Sequence, residues 1–574
     1  MKDFFKKKEN VILALILVVA AGLRLVSLSI PDGYTDEVLL GVRAIGMVDY
    51  DSSDLQTTPW QWVETVPWWM HLSFHDHPVL FFILQNLTIR LFGENVFALR
   101  LPAALLGIAA VFLIYLVAEK LLNKKAALLA AALLAVQSYH IWVSRLGIQD
   151  GLVITLTLLI LWLWLKAVEK RDYLLAPNYW LVACGAALGL GIIAKYTILI
   201  IAPILFAYAI IYRRYVWKSR FFWYGIVAII IVSSPSWLYN LFLYKTFGHF
   251  DFQISALLNQ YVEKWQFRQG RVMVGSLGMR VKFFFDVLTK ANSILFNCAT
   301  GFSIFSIIYL FFKKRSKLLY FLTIATVFQI LWFAVIGSTF RFVVVAVPYF
   351  ILLISFVFSE IILVERYGKI LYAAMFILFI GEIFFSANTF LALRPVGITS
   401  FTYAPINVEM KNFGFNQINE YLDKELKNKV SGAFGKPEYQ FMADLHNRAI
   451  KEAKEKKYKS YPLIVIYDKN FNFLSTLWTF QRRLMYYGWP MMSDKAFFDI
   501  TGDEWEKYYQ KQGIKNFIYF TGVENLDFGV QSIYAPYKLK QGVTDLEKHL
   551  QENGIKPEYV KNKNDFNAFK VYKF

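Results

Sequence analysis

Long apolar runs recur along this sequence, and they constrain its fold more than any other feature. A helix needs about 20 predominantly apolar residues to cross the hydrocarbon core of a bilayer. Runs close to that length lie at 11–30, 96–118, 126–143, 150–168, 179–195, 197–212, 221–240, 293–312, 318–337, 341–362 and 369–390. With 57% hydrophobic residues over 574 positions, the chain is too apolar for a soluble protein of this size. We predict a polytopic α-helical membrane protein with about 11 transmembrane helices.

The basic residues are distributed along the chain as a multi-pass topology predicts. A net charge of +19 suits either nucleic acid or cytoplasmic loops, where Lys and Arg accumulate. If the lysines at 6–8 are cytoplasmic, every second connection should be basic, and these connections read EKLLNKK, KAVEKRD, YRRYVWKSR, FFKKRSK and ERYGK. The pattern argues against nucleic acid as a partner. It predicts a multi-pass protein of the cell (inner or plasma) membrane with a cytoplasmic N-terminus.

The same topology places three longer segments outside the cytoplasm: 31–95, 241–292 and everything after about 391. The first carries four tryptophans and the apolar segment PVLFFILQNLTIRLFG, which we interpret as interfacial amphipathic helices. After 391 the chain is mixed and charged, with helical periodicity in INEYLDKELKNK and FMADLHNRAIKEAKEK and strand patterns in YPLIVIYD, KNFIYFTG and AFKVYKF. We therefore predict a transmembrane domain at 1–390 and an extracytoplasmic α/β domain at 391–574.

Ionisable side chains beside membrane helices are costly and therefore indicate function. Seven of them fall at or near the predicted outer ends of different helices: Arg24, Asp36, Glu37, Arg145, Asp150, Lys195 and Arg341. An ion-coupled transporter places such groups near the bilayer midplane, so this layer favours a site at the outer membrane surface.

A site of this kind suits a substrate with a lipid tail and an anionic head. A carboxylate can deprotonate an acceptor hydroxyl while Arg, Lys or His stabilises a phosphate leaving group. Transfer of a sugar from a polyprenyl phosphate needs these parts. The alternatives are a transporter or flippase of lipid-linked glycans, which predicts polar residues along a path through the midplane, and a non-catalytic scaffold, in which the groups would not converge.

Five stretches, in order, resemble the landmarks of bacterial membrane glycosyltransferases of the GT-C superfamily. They are LRLVSLSIPDGYTDEVLLG, HDHPVLFFILQNLTIRLFGENVFALRLPAALLGIAAVFLIYLVAEKLL, SRLGIQDGLVITLTLL, GLGIIAKYT and FRFVVVAVPYF. The resemblance covers residues 10 to about 390 and is to the dolichyl-phosphate-mannose protein mannosyltransferase-like branch, which includes the aminoarabinose transferases acting on lipid A. It implies a GT-C fold, a polyprenyl-phosphate sugar donor, a lipid, glycan or protein acceptor, and inversion at the anomeric carbon.

The resemblance also implies catalytic carboxylates. Asp36 matches the proposed general base of the family, with Glu37 supporting it, and Asp150 matches a second acid. The structural alternatives are a solvated turn acid for Asp36 and a helix N-cap for Asp150.

Four further residues match positions that bind the donor phosphate: Arg145, His77, Lys195 and Arg341. His77 stands where some relatives have lysine, so its role depends on its protonation state or tautomer. For the arginines the alternative is a side chain that snorkels towards the interface.

A metal has weaker support in the sequence. His75 and His77 are two residues apart and can share one face of an extended segment, where an additional acid would complete a partial ligand set. They are weak candidates, a divalent metal remains possible, and no cofactor is firmly predicted.

Overall fold

The fold is given by a computed structural model, which describes residues 8–33, 36–51, 56–169, 177–265, 275–313, 316–337, 340–362, 368–406, 411–432, 437–501, 505–523 and 543–574. The chain falls into two compact units. Unit 1 comprises Met1–Leu28, Ser52–Thr58 and Pro67–Asn407, and unit 2 comprises Ser29–Asp51, Pro59–Val66 and Val408–Phe574. The predicted domains, 1–390 and 391–574, differ from these units, which assign parts of the first loop to unit 2.

Unit 1 is helical. Among the described residues, six helices are long and apolar enough to cross a membrane. They are α4 (Val96–Leu121), α7 (Asp150–Ala167), α14 (Ile294–Lys313), α15 (Lys317–Ile336), α16 (Val347–Ile362) with the 3-10 turn Phe342–Ala346 before it, and α17 (Gly368–Phe390). Two bent pairs raise the number to as many as eight: α5 (Lys124–Val136) with α6 (Ser138–Arg145), bent by 57°, and α10 (Arg220–Val232) with α11 (Ser234–Phe247), bent by 54°. The remaining helices of unit 1 are α1 (Lys8–Leu25), α3 (Leu80–Phe92), α8 (Tyr179–Ile192), α9 (Ile201–Tyr212), α12 (Phe252–Leu257) and α13 (Leu277–Ala291).

The polytopic helical fold is thus confirmed, with fewer full-length spans than the 11 apolar runs suggested. The runs at 179–195 and 197–212 contain helices of 14 and 12 residues. At 1.5 Å per residue such helices are shorter than a bilayer core. Apolar composition alone does not reveal where a run is interrupted.

The break between α5 and α6 illustrates how such an interruption is stabilised. The last carbonyls of a helix have no intrahelical partner. Arg24 donates to the carbonyls of Leu134 and Ala135 at the end of α5, at 3.0 and 2.9 Å, and the side chain of Gln137 accepts from the backbone N–H of His140 at the start of α6. A buried guanidinium at a helix C-terminus also complements the helix dipole.

Helix α3 confirms that the second apolar segment of the first loop is helical. Ile83, Leu87 and Leu91 are exposed and four residues apart, so they form one apolar face. The opposite face buries Phe81 and Phe82. An exposed apolar face is what an interfacial helix presents to lipid, and the interfacial position remains a prediction.

Unit 2 is an α/β unit, as predicted. Its strands are β1 (Lys429–Ser431), β2 (Lys459–Tyr461), β3 (Leu463–Tyr467), β4 (Met491–Ser493), β5 (Asn516–Gly522), β6 (Glu558–Lys561) and β7 (Asn567–Lys573). Its helices are α2 (Asp36–Gly46), α18 (Phe415–Glu425), α19 (Gln440–Glu455), α20 (Phe473–Thr476), α21 (Arg482–Tyr487), α22 (Asp494–Thr501), α23 (Trp505–Lys511) and α24 (Asp545–Glu552), with a π-helical turn at Leu477–Gln481.

Five strands form one mixed sheet in the order β4-β3-β5-β7-β6. Strand β3 is parallel to β4 and β5, whereas β7 is antiparallel to β5 and β6. Successive residues of a strand point to opposite faces: Leu463 and Val465 enter one apolar core, and Ile464 and Ile466 enter the other. The unbroken apolar run LIVIY therefore forms a strand that is buried on both faces.

The start of the first loop is anchored inside unit 2 by Asp32. One carboxylate oxygen accepts from the backbone N–H groups of residues 413–415, at 2.6, 3.0 and 3.3 Å. The other accepts from the N–H of Asn416 at 2.8 Å and from the side chain of Asn412 at 3.2 Å. The N–H groups of Gly414, Phe415 and Asn416 belong to the start of α18, where backbone donors lack intrahelical partners and a negative charge is favourable. Asp32 thereby fixes the chain four residues before α2.

Replacing Asp32 should loosen this anchor. In Asp32→Asn an amide NH₂ would face backbone donors and the charge at the start of α18 would be lost, at a cost of about 1–3 kcal/mol. We expect faster amide hydrogen exchange at 413–416, measured by mass spectrometry on the full-length protein.

The exposed Asp444→Asn in α19 is the matched control and should leave exchange unchanged. Equal protection of 413–416 in wild type and Asp32→Asn would refute the anchor.

Candidate active site

Three of the predicted site residues meet at one point of unit 1. The Nζ atom of Lys195 lies 2.8 Å from Oδ1 of Asp150, and Nε of Arg341 lies 3.4 Å from Oδ2 of the same carboxylate. The side chains of Asp150 and Lys195 are each 3% exposed, whereas that of Arg341 is 21% exposed. We call these three residues the Asp150 cluster.

Each member of the Asp150 cluster is held at the end of a helical segment. Asp150 is the first residue of α7, where the helix dipole favours a carboxylate. Lys195 follows α8, and its backbone N–H donates to the carbonyl of Gly191 at 2.9 Å. Arg341 immediately precedes the 3-10 turn Phe342–Ala346. Helix ends thus bring together side chains that are far apart in sequence.

An aromatic ring also contacts the two cations of the Asp150 cluster. The cluster contains two cations and one carboxylate, and the ring of Phe342 lies 4.4 Å from Nζ of Lys195 and 5.6 Å from the guanidinium carbon of Arg341. Asp150 contacts both cations and is therefore suited to orienting Lys195 and Arg341. The more exposed Arg341 is the member best placed to meet an anion.

Arg145 makes a different set of contacts. Its guanidinium donates to the carbonyls of Leu23, Val26 and Ser27, at 3.0, 2.8 and 3.2 Å. It is buried, and these carbonyls belong to the end of α1 and the residues that follow it. Its predicted role towards the donor phosphate remains a prediction.

His77 lies in a turn with the other predicted metal candidate. Asp76 lies between the two rings, with Oδ2 at 3.2 Å from Nδ1 of His77 and Oδ1 at 3.8 Å from Nδ1 of His75. The Nε2 atom of His75 is 2.8 Å from the side-chain nitrogen of Gln56. His75 thus has a side-chain neighbour near each ring nitrogen. His77 is 17% exposed and remains the histidine more accessible to a ligand.

Asp36 and Glu37 occupy the first turn of α2 in unit 2. Asp36 is partly exposed and Glu37 is fully buried. The helix itself is held within unit 2, because the hydroxyl of Tyr486 donates to the carbonyl of Val42 at 2.7 Å and Arg43 pairs with Asp51 at 3.4 Å. The catalytic role of the pair remains a prediction.

Sequence reasoning missed the residues that position these segments. Asp32 was not singled out from the sequence, yet it is the buried anchor of the first loop. Arg100, inside the apolar run 96–118, is fully buried and donates to the carbonyl of Leu28 at 3.0 Å. Arginines near helix ends are the available signal, since unpaired terminal carbonyls need donors.

The Asp150 cluster predicts how substitutions of its residues change the free energy of unfolding. Asp150→Asn should lower the free energy of unfolding by about 3–5 kcal/mol because Lys195 would keep a buried charge without its carboxylate. Adding Lys195→Met should restore much of that loss, since removal of both charges avoids the uncompensated one. Thermal unfolding of the detergent-solubilised protein measures both.

The matched control is Glu169→Gln, whose partner Lys120 lies 2.7 Å away in a more exposed ion pair. That change should cost less than about 1 kcal/mol. If the double variant were less stable than Asp150→Asn, the interpretation of the cluster as a buried ionic unit would be wrong.

Known proteins share parts of this sequence. A sequence model of the dolichyl-phosphate-mannose-protein mannosyltransferase family matches residues 76–239. Two undecaprenyl phosphate-alpha-4-amino-4-deoxy-L-arabinose arabinosyl transferases of Pseudomonas fluorescens (strain Pf-5) are 28% and 30% identical to it over 38% and 29% of this chain. The matched stretches span only 38% and 31% of those relatives' own length.

The fold extends the likeness over the whole chain. The crystal structure of ArnT from Cupriavidus metallidurans bound to undecaprenyl phosphate has a TM-score of 0.55 at 12% identity, covering 98% of this chain and 97% of that one. Its apo state gives 0.51 at 13% identity. At such low identity the likeness establishes the fold alone. Residues 76–239 thus resemble the mannosyltransferase family, and the helical membrane fold of this chain is similar to that of ArnT.

Proposed function

We propose that this protein is a glycosyltransferase that moves one sugar from a polyprenyl-phosphate donor to a hydroxyl of a lipid, glycan or protein acceptor. The reaction takes place on the outer face of the cell membrane, with the N-terminus in the cytoplasm and the α/β unit outside. Nucleotide sugars are cytoplasmic, so a lipid carrier is needed to supply an activated sugar on that face.

The observation that carries this proposal is the Asp150 cluster. In this cluster Lys195 and Arg341 approach the same carboxylate, and Arg341 is the most exposed of the three side chains. A phosphate next to Arg341 would therefore meet a cation that is already oriented by Asp150, so little reorganisation is needed when negative charge develops. The bound undecaprenyl phosphate of the ArnT structure and the donors in the names of the relatives support the same ligand chemistry.

The proposed chemical step is a direct displacement. The acceptor oxygen attacks the anomeric carbon as the bond between that carbon and the phosphate oxygen breaks, and the electron pair stays on the phosphate. Lys195 and Arg341 stabilise the polyprenyl phosphate that leaves, which is the species whose charge increases in the transition state. Attack opposite to the leaving group inverts the anomeric configuration.

The proton of the acceptor hydroxyl goes to Asp36 in this proposal. Its partial exposure makes its carboxylate accessible to an acceptor, and the resemblance assigns the base to this position. Glu37, buried beside it in sequence, shapes the same turn. Asp150 orients cations, Arg145 and His77 contribute positive charge to the donor side, and no step requires a metal.

Removing the proposed base should abolish turnover without abolishing donor binding. In Asp36→Asn we expect kcat to fall by about 100- to 10,000-fold, the usual contribution of general acid–base catalysis, while KM for the donor changes little. The assay is transfer of radiolabelled sugar from polyprenyl phosphate to candidate acceptors by purified protein.

Asp286→Asn in α13 is a suitable control because Asp286 is also partly buried in a helix but lies outside the proposed site. Full transfer activity in a folded Asp36→Asn would rule out this residue as the base. Donor movement across vesicles without any sugar transfer would support a flippase instead.

The role of Arg341 predicts a change in donor affinity. Hydrogen bonds to charged groups contribute about 1.5–3 kcal/mol, so Arg341→Gln should weaken binding of undecaprenyl phosphate by about 10- to 100-fold. Direct binding to the purified protein measures this effect. Arg90→Gln removes an exposed arginine from α3 as a control, and an equal affinity in both variants would contradict the phosphate assignment.

A further inference from the structure

A large apolar cavity lies in unit 1, away from the Asp150 cluster. It has a volume of about 520 Å³ and is lined by residues of α7, α8, α9 and α10 and of the connection between the last two. Among its lining residues, all of them described, none is charged. Ligand sites in proteins have volumes of about 300–1,000 Å³, so this cavity has room for a ligand.

The cavity opens to the outside of the helix bundle. Phe206 and Trp217 line it and are 62% and 39% exposed. Ala202 of α9 also lines it and is exposed. In a membrane protein such a surface faces lipid, and an apolar cavity open to lipid is filled by hydrocarbon, because dispersion contacts would otherwise be lost. An alkyl chain is the chemistry that fits.

Positive charge lies beside the opening. Trp217 belongs to the connection 213–219, which also carries Arg214 and Lys218 and is followed by Arg220; these three side chains are exposed. Arg214 and Lys218 lie over the ring of Tyr215, each 5.0 Å from its centroid. Basic residues next to the membrane surface attract anionic headgroups.

From these observations we propose that unit 1 binds one anionic phospholipid of the bilayer, with an acyl chain in the cavity and its phosphate at Arg214, Lys218 and Arg220. The lipid is a structural ligand in the leaflet on the side of this connection. This site is independent of the proposed glycosyltransferase activity.

The position of the cavity distinguishes this lipid from the sugar donor. Trp164 lines the cavity, while Asp150 begins the same helix α7. Fourteen residues of helix separate them, which is about 21 Å at 1.5 Å per residue. A phosphate at the basic connection would therefore be far from the Asp150 cluster, so a reacting donor does not account for this site.

Native mass spectrometry of the full-length, delipidated protein tests the proposal. We expect phosphatidylglycerol to bind at one tight site and phosphatidylcholine with the same acyl chains to bind more weakly. Lys218→Gln with Arg220→Gln should lower phosphatidylglycerol affinity by about fivefold per charge. Lys124→Gln with Lys125→Gln, exposed at the start of α5, removes equal charge elsewhere and should have no effect.

Filling the cavity tests the acyl-chain contact separately. Ala202→Trp should reduce binding of phosphatidylglycerol at least tenfold, whereas Ala207→Trp, on the same helix but outside the lining, should not. Thermal unfolding of both variants establishes that they are folded. Equal binding of the two phospholipids, no effect of Ala202→Trp, or tighter binding of undecaprenyl phosphate at this site would each overturn the proposal.

Discussion

The buried ion pairs of Asp150 form the interaction on which this account of the protein depends. Taking a carboxylate and an ammonium out of water is costly, and their attraction offsets that cost only when the geometry is good. Lys195 and Arg341 approach different oxygens of the same carboxylate, which fixes both cations. These ion pairs require three helix ends to lie together. They are the start of α7, the end of α8 and the start of the 3-10 turn that follows Arg341. The ion pairs of Asp150 therefore depend on how these helical segments of unit 1 pack together.

Interrupted helices make that arrangement possible, and buried side chains stabilise the interruptions. Arg24 and Arg145 donate to carbonyls at the ends of α5 and α1. Within unit 2, Asp32 accepts from backbone N–H groups at the start of α18. In each case a charged side chain satisfies backbone groups that a membrane or a core would leave without partners. The ionisable residues that the sequence places near helix ends therefore have two kinds of position. Some contact backbone groups and stabilise helix ends, and others lie near an accessible surface.

Much of the fold could be predicted because its signals are local. Apolar runs identify membrane helices, and alternating or unbroken apolar stretches such as LIVIY identify strands β3, β5 and β7. The bend between α5 and α6 was not predicted, although the polar residues Gln137, Ser138 and His140 interrupt the run 126–143 at that point. The association of residues 29–51 with unit 2 was also hidden, because it rests on hydrogen bonds between Asp32 and backbone groups about 380 positions away, which no local pattern encodes.

The residues of the candidate site could be predicted in part, because their signal in the sequence is also local. Asp150, Lys195 and Arg341 stood out as ionisable residues at the ends of apolar runs, and the structure brings them together. Arg145 has the same sequence signature, and its guanidinium contacts carbonyls at the end of α1, a contact that a position near a helix end does not reveal. Pairing within a cluster needs the tertiary structure.

The central claim is that the Asp150 cluster holds the donor phosphate, and an experimental structure with bound undecaprenyl phosphate tests it most directly. We expect phosphate oxygens within hydrogen-bonding distance, about 2.7–2.9 Å, of Arg341, with Asp150 still paired to Lys195. A phosphate held elsewhere in the molecule, with no contact to Arg341 or Lys195, would contradict it.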